Sequence, residues 1–343
     1  MRVGPPCKVI RGSVFIPRGL FVTILRQPTR AGVRDAAAKV AAILPPTPLI
    51  LQEVRGVPVA FKAESLQPVG AFKIRGAWHR LTALDGAVRD KGVVAFSSGN
   101  HAQGVAWAAK RLGIPAVIVM PADAPKVKLE ATLALGAEVV RYDRRTESRE
   151  KIAEQLAHAR GAALVPSFDD PWIIEGQGSA GIEAAKQMAD AGLEAPARVL
   201  VPCGGGGLSA GIALALPEAA VVPVEPEGWD DMRRSLEAGW IEPVRDNPPP
   251  TACDSLQTQR VSSLTFDVLS RRGATGIAVT ESDIRAAQRW AAAKLRLVVE
   301  PGGAAGIAAL LSGRISPEAG TLVLVSGGNV DQEDYARTLG NRE

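Results

Sequence analysis

A chain of 343 residues with 46% apolar and 4% aromatic content has room for two domains and suits helix–sheet packing built on Ala, Val, Leu and Gly better than an all-β design. Its formal charge of +4 invites a nucleic-acid partner, but residues 1–34 carry seven basic side chains and no acid, so the rest holds 33 basic against 36 acidic residues and that reading falls. No window reaches the ~20 apolar residues of a membrane span, and three scattered cysteines without a CxxC (Cys7, Cys203, Cys253) suit a reducing, cytoplasmic setting.

Residues 1–31 form a basic extension broken by Pro5, Pro6, Pro17 and Pro28, expected to be disordered or a misassigned start rather than a targeting helix. From residue 32 the chain alternates short apolar runs with amphipathic stretches. "PVAFK" (58–62) reads as a strand and 73–84 as a helix. "GVVAFS" (92–97), "AVIVM" (116–120) and "AEVVRY" (137–142) are predicted strands, with helices over 100–112, 125–135 and 147–160. "AALVP", "RVLVP", "AVVPVEP" and "TLVLVS" (321–326) continue the strand series, with helices from 172, 207, 230, 265, 281 and 303 between them. This rhythm predicts an α/β fold with mostly parallel sheets. The expected division is a large unit over 32–85 and 169–335 and a smaller, mobile unit over 92–168.

Ligands of such folds sit at the carboxyl ends of strands, so the residues directly after each strand carry the information. "SGNHAQG" (98–104) opens a helix with short polar side chains and free amides suited to a carboxylate or anion, or simply to capping. "CGGGGLSAG" (203–211) places four glycines between strand and helix, a costly choice unless something approaches the main chain closely; a phosphate is the usual reason. "SGGNVD" (326–331) ends a buried strand on a hydroxyl and two glycines. Finally, "GAFKIRGAW" sets Lys73 in the first turn of a helix, where the macrodipole disfavours a cation. A lysine of lowered pKa, a phosphate cradle, an Asn-bearing loop and a strand-end serine together suit a phosphorylated aldehyde, pyridoxal phosphate, held by the lysine as a Schiff base.

The stretches "ESLQPVGAFKIRGA", "SSGNHAQGVAWAAKRLGIPAVIVMP", "PCGGGGLSAG", "EPGGA" and "SGGNVD" resemble those of the fold-type II pyridoxal-phosphate enzymes, within them the serine/threonine dehydratases and serine racemases. The likeness runs from about Pro46 to Asp331. It implies a tryptophan synthase β-like fold of two three-layer α/β/α domains and a homodimer. It also implies that Lys73 is the Schiff-base lysine, that Phe72 packs on the cofactor and that Asn100 meets its phenolic oxygen. Gly204, Gly205, Gly206 and Gly207 would hold the phosphate, Ser326 would meet the pyridine nitrogen, and Glu300 would lie near the ring. Ser97, Ser98, Gly99, Asn100 and His101 correspond to the loop for the substrate carboxylate. "EPEGWDD" resembles a divalent-cation loop, with Glu225, the Trp229 carbonyl and Asp231 as ligands for Mg²⁺ or Ca²⁺, although acids at a helix start explain it equally well. Ala71 stands where relatives often carry serine, which puts one turn hydrogen bond in doubt.

The activity implied is dehydration of a β-hydroxy amino acid such as L-threonine or L-serine to a 2-oxo acid and ammonia. Racemisation is the alternative, with Ser98 as the second proton donor. Dehydration of 3-hydroxyaspartate is another and needs an extra cation for the second carboxylate, for which Arg233 and Arg296 are the candidates. A non-catalytic binder of a phosphate metabolite is the reading from a different class. The short stretch after "SGGNVD" leaves no space for a C-terminal regulatory domain, so a stand-alone, catabolic enzyme is expected.

Overall fold

The structure is a computed structural model that describes residues 26–124 and 126–340. Ten strands build two sheets. In chain order they are β1 (Leu49–Val54), β2 (Val57–Ala63), β3 (Val93–Phe96), β4 (Ala116–Pro121), β5 (Glu138–Tyr142), β6 (Ala163–Leu164), β7 (Arg198–Pro202), β8 (Ala220–Pro226), β9 (Ile277–Val279) and β10 (Thr321–Val325). The larger sheet runs β1-β2-β10-β7-β8-β9 and the smaller β5-β4-β3-β6. Every pairing is parallel except the β1–β2 hairpin. The mostly parallel α/β class read from the sequence is therefore the observed one.

Strand side chains alternate between faces, and helices cover both faces of each sheet, so successive residues enter different cores. Val199 and Val201 of β7, with Leu322 and Leu324 of β10, pack on one side of the larger sheet; Leu200, Val323 and Val325 pack on the other. In the smaller sheet Val93, Ala95, Ile118 and Met120 face one core, while Val94, Val117 and Val119 face a second. Such strands are apolar throughout and carry no alternating pattern, which is how they read in the sequence.

The helices that position the site are α1 (Arg30–Ala41), α2 (Lys73–Thr82), α3 (Gly86–Lys91), α4 (Asn100–Leu112), α5 (Lys126–Ala134), α6 (Arg149–Arg160), α7 (Pro171–Asp190), α8 (Gly207–Ala215) and α9 (Asp231–Ala238). Glycines let their axes approach. A Cβ on Gly176 of α7 would sit 2.6 Å from Gly76 Cα in α2, one on Gly178 2.4 Å from the Gly211 carbonyl oxygen in α8, and one on Gly104 of α4 3.1 Å from the Lys73 carbonyl. The helix bearing Lys73 is thus held against its neighbours backbone to backbone.

The basic extension differs from expectation at its end. Residues 1–25, Cys7 included, lie outside the described residues, but Arg26 to Arg30 are firmly tied down. Both Arg26 guanidinium nitrogens meet the buried Glu175 carboxylate, at 2.8 and 3.0 Å, and the Thr29 N–H donates to it at 2.8 Å. Thr29 also caps α1 through its side chain, so the ordered chain begins before residue 32. The sequence pattern missed this because the anchor is one buried acid nearly 150 residues away. No helix among the described residues is long and apolar enough to cross a membrane.

Candidate active site

Lys73 is the first residue of α2, and its amine is buried between the two sheets' carboxyl ends, donating to the Ser167 carbonyl at 3.0 Å. Burial lowers its pKa to about 8, against the pull of the Glu300 carboxylate in the other direction. Phe72 precedes it, with its ring centre 5.2 Å from the amine. The turn before the helix is clasped by the segment after β10. The Phe72 N–H donates to the Ser326 carbonyl at 3.1 Å, Ala71 bridges to Gly327, and the Gly328 N–H donates to the Gly70 carbonyl at 2.8 Å. These main-chain bonds hold the turn without the side-chain hydroxyl that Ala71 lacks. Gly70 is required here: its φ is +70°, and a Cβ would lie 2.2 Å from the Asn329 side-chain oxygen.

The loop after β3 closes the other side. Ser97 Oγ accepts from the Gly99 N–H at 3.1 Å, Ser98 is half-buried, and Asn100 starts α4. The Asn100 amide nitrogen donates to Glu300 Oε1 at 2.7 Å, and its oxygen accepts from Asn329 at 2.8 Å. Burial, together with the charge of Asp254, raises the Glu300 pKa to about 7. His101 turns away from the loop and donates from Nε2 to the Val165 carbonyl at 2.9 Å; burial, then the Lys73 charge, holds its pKa near 3, so the ring is neutral. Arg149, at the start of α6, stacks 5.6 Å from the ring of Phe96, the residue before Ser97, and pairs with Glu150.

Gly204 to Gly207 follow β7 and open α8. Gly206 has φ +84°, and a Cβ on it would meet Met232 Cε at 2.5 Å. A Cβ on Gly205 would enter the Phe168 ring at 2.4 Å, and one on Gly207 would come 2.7 Å from Gln177 Oε1, a buried oxygen with no partner. Ser167 and Phe168 are adjacent, so this short segment links the lysine amine to the glycine loop. Free amides at a helix start and glycines that no side chain could replace fit a phosphate. A buried amine with a pKa near 8 and the buried Ser326 at the end of β10 fit the aldehyde and ring of pyridoxal phosphate.

The remaining candidates sit apart. Glu225 accepts from the N–H groups of Met232 and Arg233 at 3.0 and 2.8 Å, capping α9, and Asp231 Oδ2 accepts from Val261 N–H at 2.8 Å. Asp231 Oδ1 is buried without a partner. Burial raises the pKa of Asp231 to about 7, and burial with Asp231's charge raises that of Glu225 well above the usual range. The Trp229 N–H donates to the Pro226 carbonyl at 3.0 Å within the same turn. Arg233 is taken up by Asp230 and Glu237, and Arg296 is exposed, so the structure brings neither into contact with the lysine's surroundings. Asn329, Ser167, Phe168, Gln177 and Lys128 escaped the sequence reading. Of these only Asn329 carried a local signal, inside the "SGGN" run.

The chain matches the family model described as pyridoxal-phosphate dependent enzyme over residues 41–327. It is 38% identical over 327 residues to an L-threo-3-hydroxyaspartate ammonia-lyase of Saccharomyces cerevisiae, covering 92% of this chain and 98% of that one. It is 42% identical over 290 residues to an enzyme of the same name from Pseudomonas sp, covering 83% and 88%. Among solved structures it resembles the serine racemase of maize, at 34% identity and a TM-score of 0.84, over 92% of this chain and 97% of that one.

Proposed function

The chain belongs to the pyridoxal-phosphate-dependent enzyme family, and from that premise we propose that it eliminates water from a β-hydroxy amino acid, giving a 2-oxo acid and ammonia. L-Threonine, L-serine and L-threo-3-hydroxyaspartate are the substrates proposed; the last is supported by the names of two relatives. The observation that carries the reading is the buried amine of Lys73, its pKa lowered to about 8, bonded to Ser167 beside the glycine cradle's neighbour Phe168.

Pyridoxal phosphate, when bound, supplies an aldehyde carbon for an amine and an electron sink for charge developing at Cα. Gly204 to Gly207 would hold the phosphate through main-chain N–H groups, Ser326 would meet the ring nitrogen, and Phe72, Asn100 and Glu300 would border the ring. Ser97, Ser98, Gly99, Asn100 and His101 set the substrate α-carboxylate at the start of α4, where unpaired amides favour an anion. His101 contributes its backbone there, because its neutral ring is committed to Val165. Lys73 removes the Cα proton at Nζ: an amine with a pKa near 8 is largely available as base at mildly alkaline pH, where an ordinary lysine is not. The Cβ–O bond then breaks as the proton gained by Lys73 Nζ passes to the departing hydroxyl, which leaves as water. Hydrolysis of the resulting enamine returns one water to give the 2-oxo acid and ammonia. Racemisation adds proton delivery from the opposite face, and Ser98 is the residue proposed for it.

The test is 2-oxo acid release from these three substrates by the cofactor-loaded protein and by Lys73→Ala. Product that disappears in the variant by a factor of about a thousand or more supports the reading; the same rate in both, or a phosphate ligand bound with no aldehyde adduct at Lys73, refutes it.

Two finer points belong to the same proposal. A divalent cation, Mg²⁺ or Ca²⁺, sits at Glu225, Asp231 and the Trp229 carbonyl, supported by the orphaned Asp231 oxygen and by two buried carboxyl groups whose pKa values burial raises. Millimolar Mg²⁺ should then raise the unfolding temperature of the native protein and not that of Asp231→Asn. The enzyme acts in the cytoplasm as a homodimer, as its family resemblance implies.

A further inference from the structure

A charged pair also joins the two units beside the site. Lys128 on α5, which follows β4 of the smaller sheet, pairs with Asp254 of the larger unit. Asp254 begins the turn Asp254–Leu256, and this turn is built into the site. Ser255 Oγ would lie 2.3 Å from a Cβ on Gly302, and Leu256 and Thr258 both come within 3.1 Å of a Cβ on Gly204 of the cradle. Ser255 thereby lies beside Gly302, close in sequence to Glu300, whose carboxylate holds Asn100.

Two cations act on the Glu300 carboxyl: Lys73 and Lys128. Lys73 is occupied by the chemistry. Lys128 has no task there, and its partner is an aspartate more than half exposed to solvent (54%), while its own side chain is 19% exposed. An exposed carboxylate of this kind is a weakly held partner that another carboxylate can replace, because the released Asp254 is solvated by water. The two arginines that the sequence offered for a second substrate carboxylate are bound to Asp230 and Glu237 or exposed elsewhere, which leaves Arg149, stacked on Phe96 and paired with Glu150, and Lys128, whose partner Asp254 belongs to the turn that packs on the cradle.

We propose that Lys128 recognises the distal carboxylate of a dicarboxylic β-hydroxy amino acid, taking it in exchange for Asp254. This rests on the dehydratase reading for its substrate class but not for its binding contact. The discrimination is by charge pairing: a substrate ending in hydrogen or methyl leaves the Lys128–Asp254 pair in place, whereas one ending in carboxylate competes for it.

The experiment compares the holoenzyme with Lys128→Met, Lys128→Arg and Asp254→Asn in two readouts. In turnover, the ratio of kcat/KM for L-threo-3-hydroxyaspartate over that for L-serine should fall about tenfold to a hundredfold in Lys128→Met, mainly through KM. It should recover in large part in Lys128→Arg and rise in Asp254→Asn, where the competing carboxylate is gone. In binding, calorimetry with L-aspartate, which carries both carboxylates and no leaving group, against L-alanine should show the same change of ratio. A ratio unchanged within twofold in Lys128→Met overturns the proposal, and so does an equal loss for both ligands, which marks a structural ion pair. Transfer of the selectivity loss to Arg149→Met also overturns it. Should the wild-type protein turn over none of the hydroxy amino acids, the dehydratase reading falls, and the aspartate-to-alanine ratio still decides the role of Lys128.

Discussion

At the scale of single residues, the site is governed by what burial does to charge. Lys73 and Glu300 are both buried, and burial moves them in opposite directions, the amine down to about 8 and the carboxyl up to about 7. The consequence for Glu300 can be read in stability. Its ordinary pKa is 4.5 and its folded value about 7, so between those values the native state holds a proton that the unfolded chain has released. Stability therefore falls as pH rises through that window, by on the order of 3 kcal/mol at most. Glu300→Gln keeps an oxygen for the Asn100 amide and has no proton to lose. The unfolding free energy of the native protein relative to this variant should decline between about pH 5 and 7 and be level above. Asp231 titrates in the same range but is common to both proteins, so parallel curves would show that Glu300 is ionised throughout.

At the scale of elements, the helices around Lys73 are packed at glycine contacts too close for any side chain. Gly176→Ala would put a Cβ 2.6 Å from Gly76 Cα and 2.7 Å from the Arg75 carbonyl oxygen, both main-chain atoms that cannot swing aside. Helices α2 and α7 must then separate, which should cost about 1–3 kcal/mol and displace the lysine from Ser167. Gly86→Ala, at the start of α3 with nothing within 4 Å of its Cβ, is the matched control and should be neutral or slightly stabilising. Thermal unfolding and the lysine-dependent absorbance of the bound cofactor measure both effects; a Gly176→Ala protein as stable as Gly86→Ala would mean the helices are held by something other than this contact.

The same elements show what the sequence could and could not express. Lys73, the four glycines, Asn100 and Ser326 were legible because each follows a strand or opens a helix, where a polar or glycine residue breaks an apolar run. The parallel strands were legible for the same reason. The hairpin partner β1 was not, since "LILQEV" pairs along an edge and is only partly buried. Nor was Arg26 on Glu175, nor Lys128 on Asp254, because each joins segments more than a hundred residues apart through one ionic contact that leaves no local pattern. The helix predicted from 281 likewise keeps α-helical winding only to Trp290 and passes into a π-helical turn, Ala291–Leu295, closed by Arg296 at φ +59°, a change of winding that apolar spacing does not reveal.

At the scale of the whole molecule, α4 of the smaller unit packs on α2 of the larger one, where Val105 and Trp107 share an apolar core with Ile74, Ala77 and Leu81, while the side-chain contacts around the lysine are polar. Asn100 reaches from the smaller unit to Glu300 and Asn329, and Lys128 reaches to Asp254. Polar contacts of this size, individually worth about 1 kcal/mol, give way more readily than the apolar packing of α4 on α2, so relative motion would pivot on that helix pair. The loop of Ser97 to His101 lies on the smaller unit, whereas Lys73 and the glycine cradle lie on the larger one. A substrate bound through its carboxylate at one and its amine at the other therefore draws the units together, and residues 92–168 should be the part that moves. Limited proteolysis with and without L-serine tests this directly. Protection should concentrate in residues 92–168, above all around 97–103 and 126–134, and leave cleavage in the larger unit unchanged, because its sheet core is complete in either state. Equal protection of both units would instead indicate general stabilisation by ligand, with the two sheets acting as one rigid body.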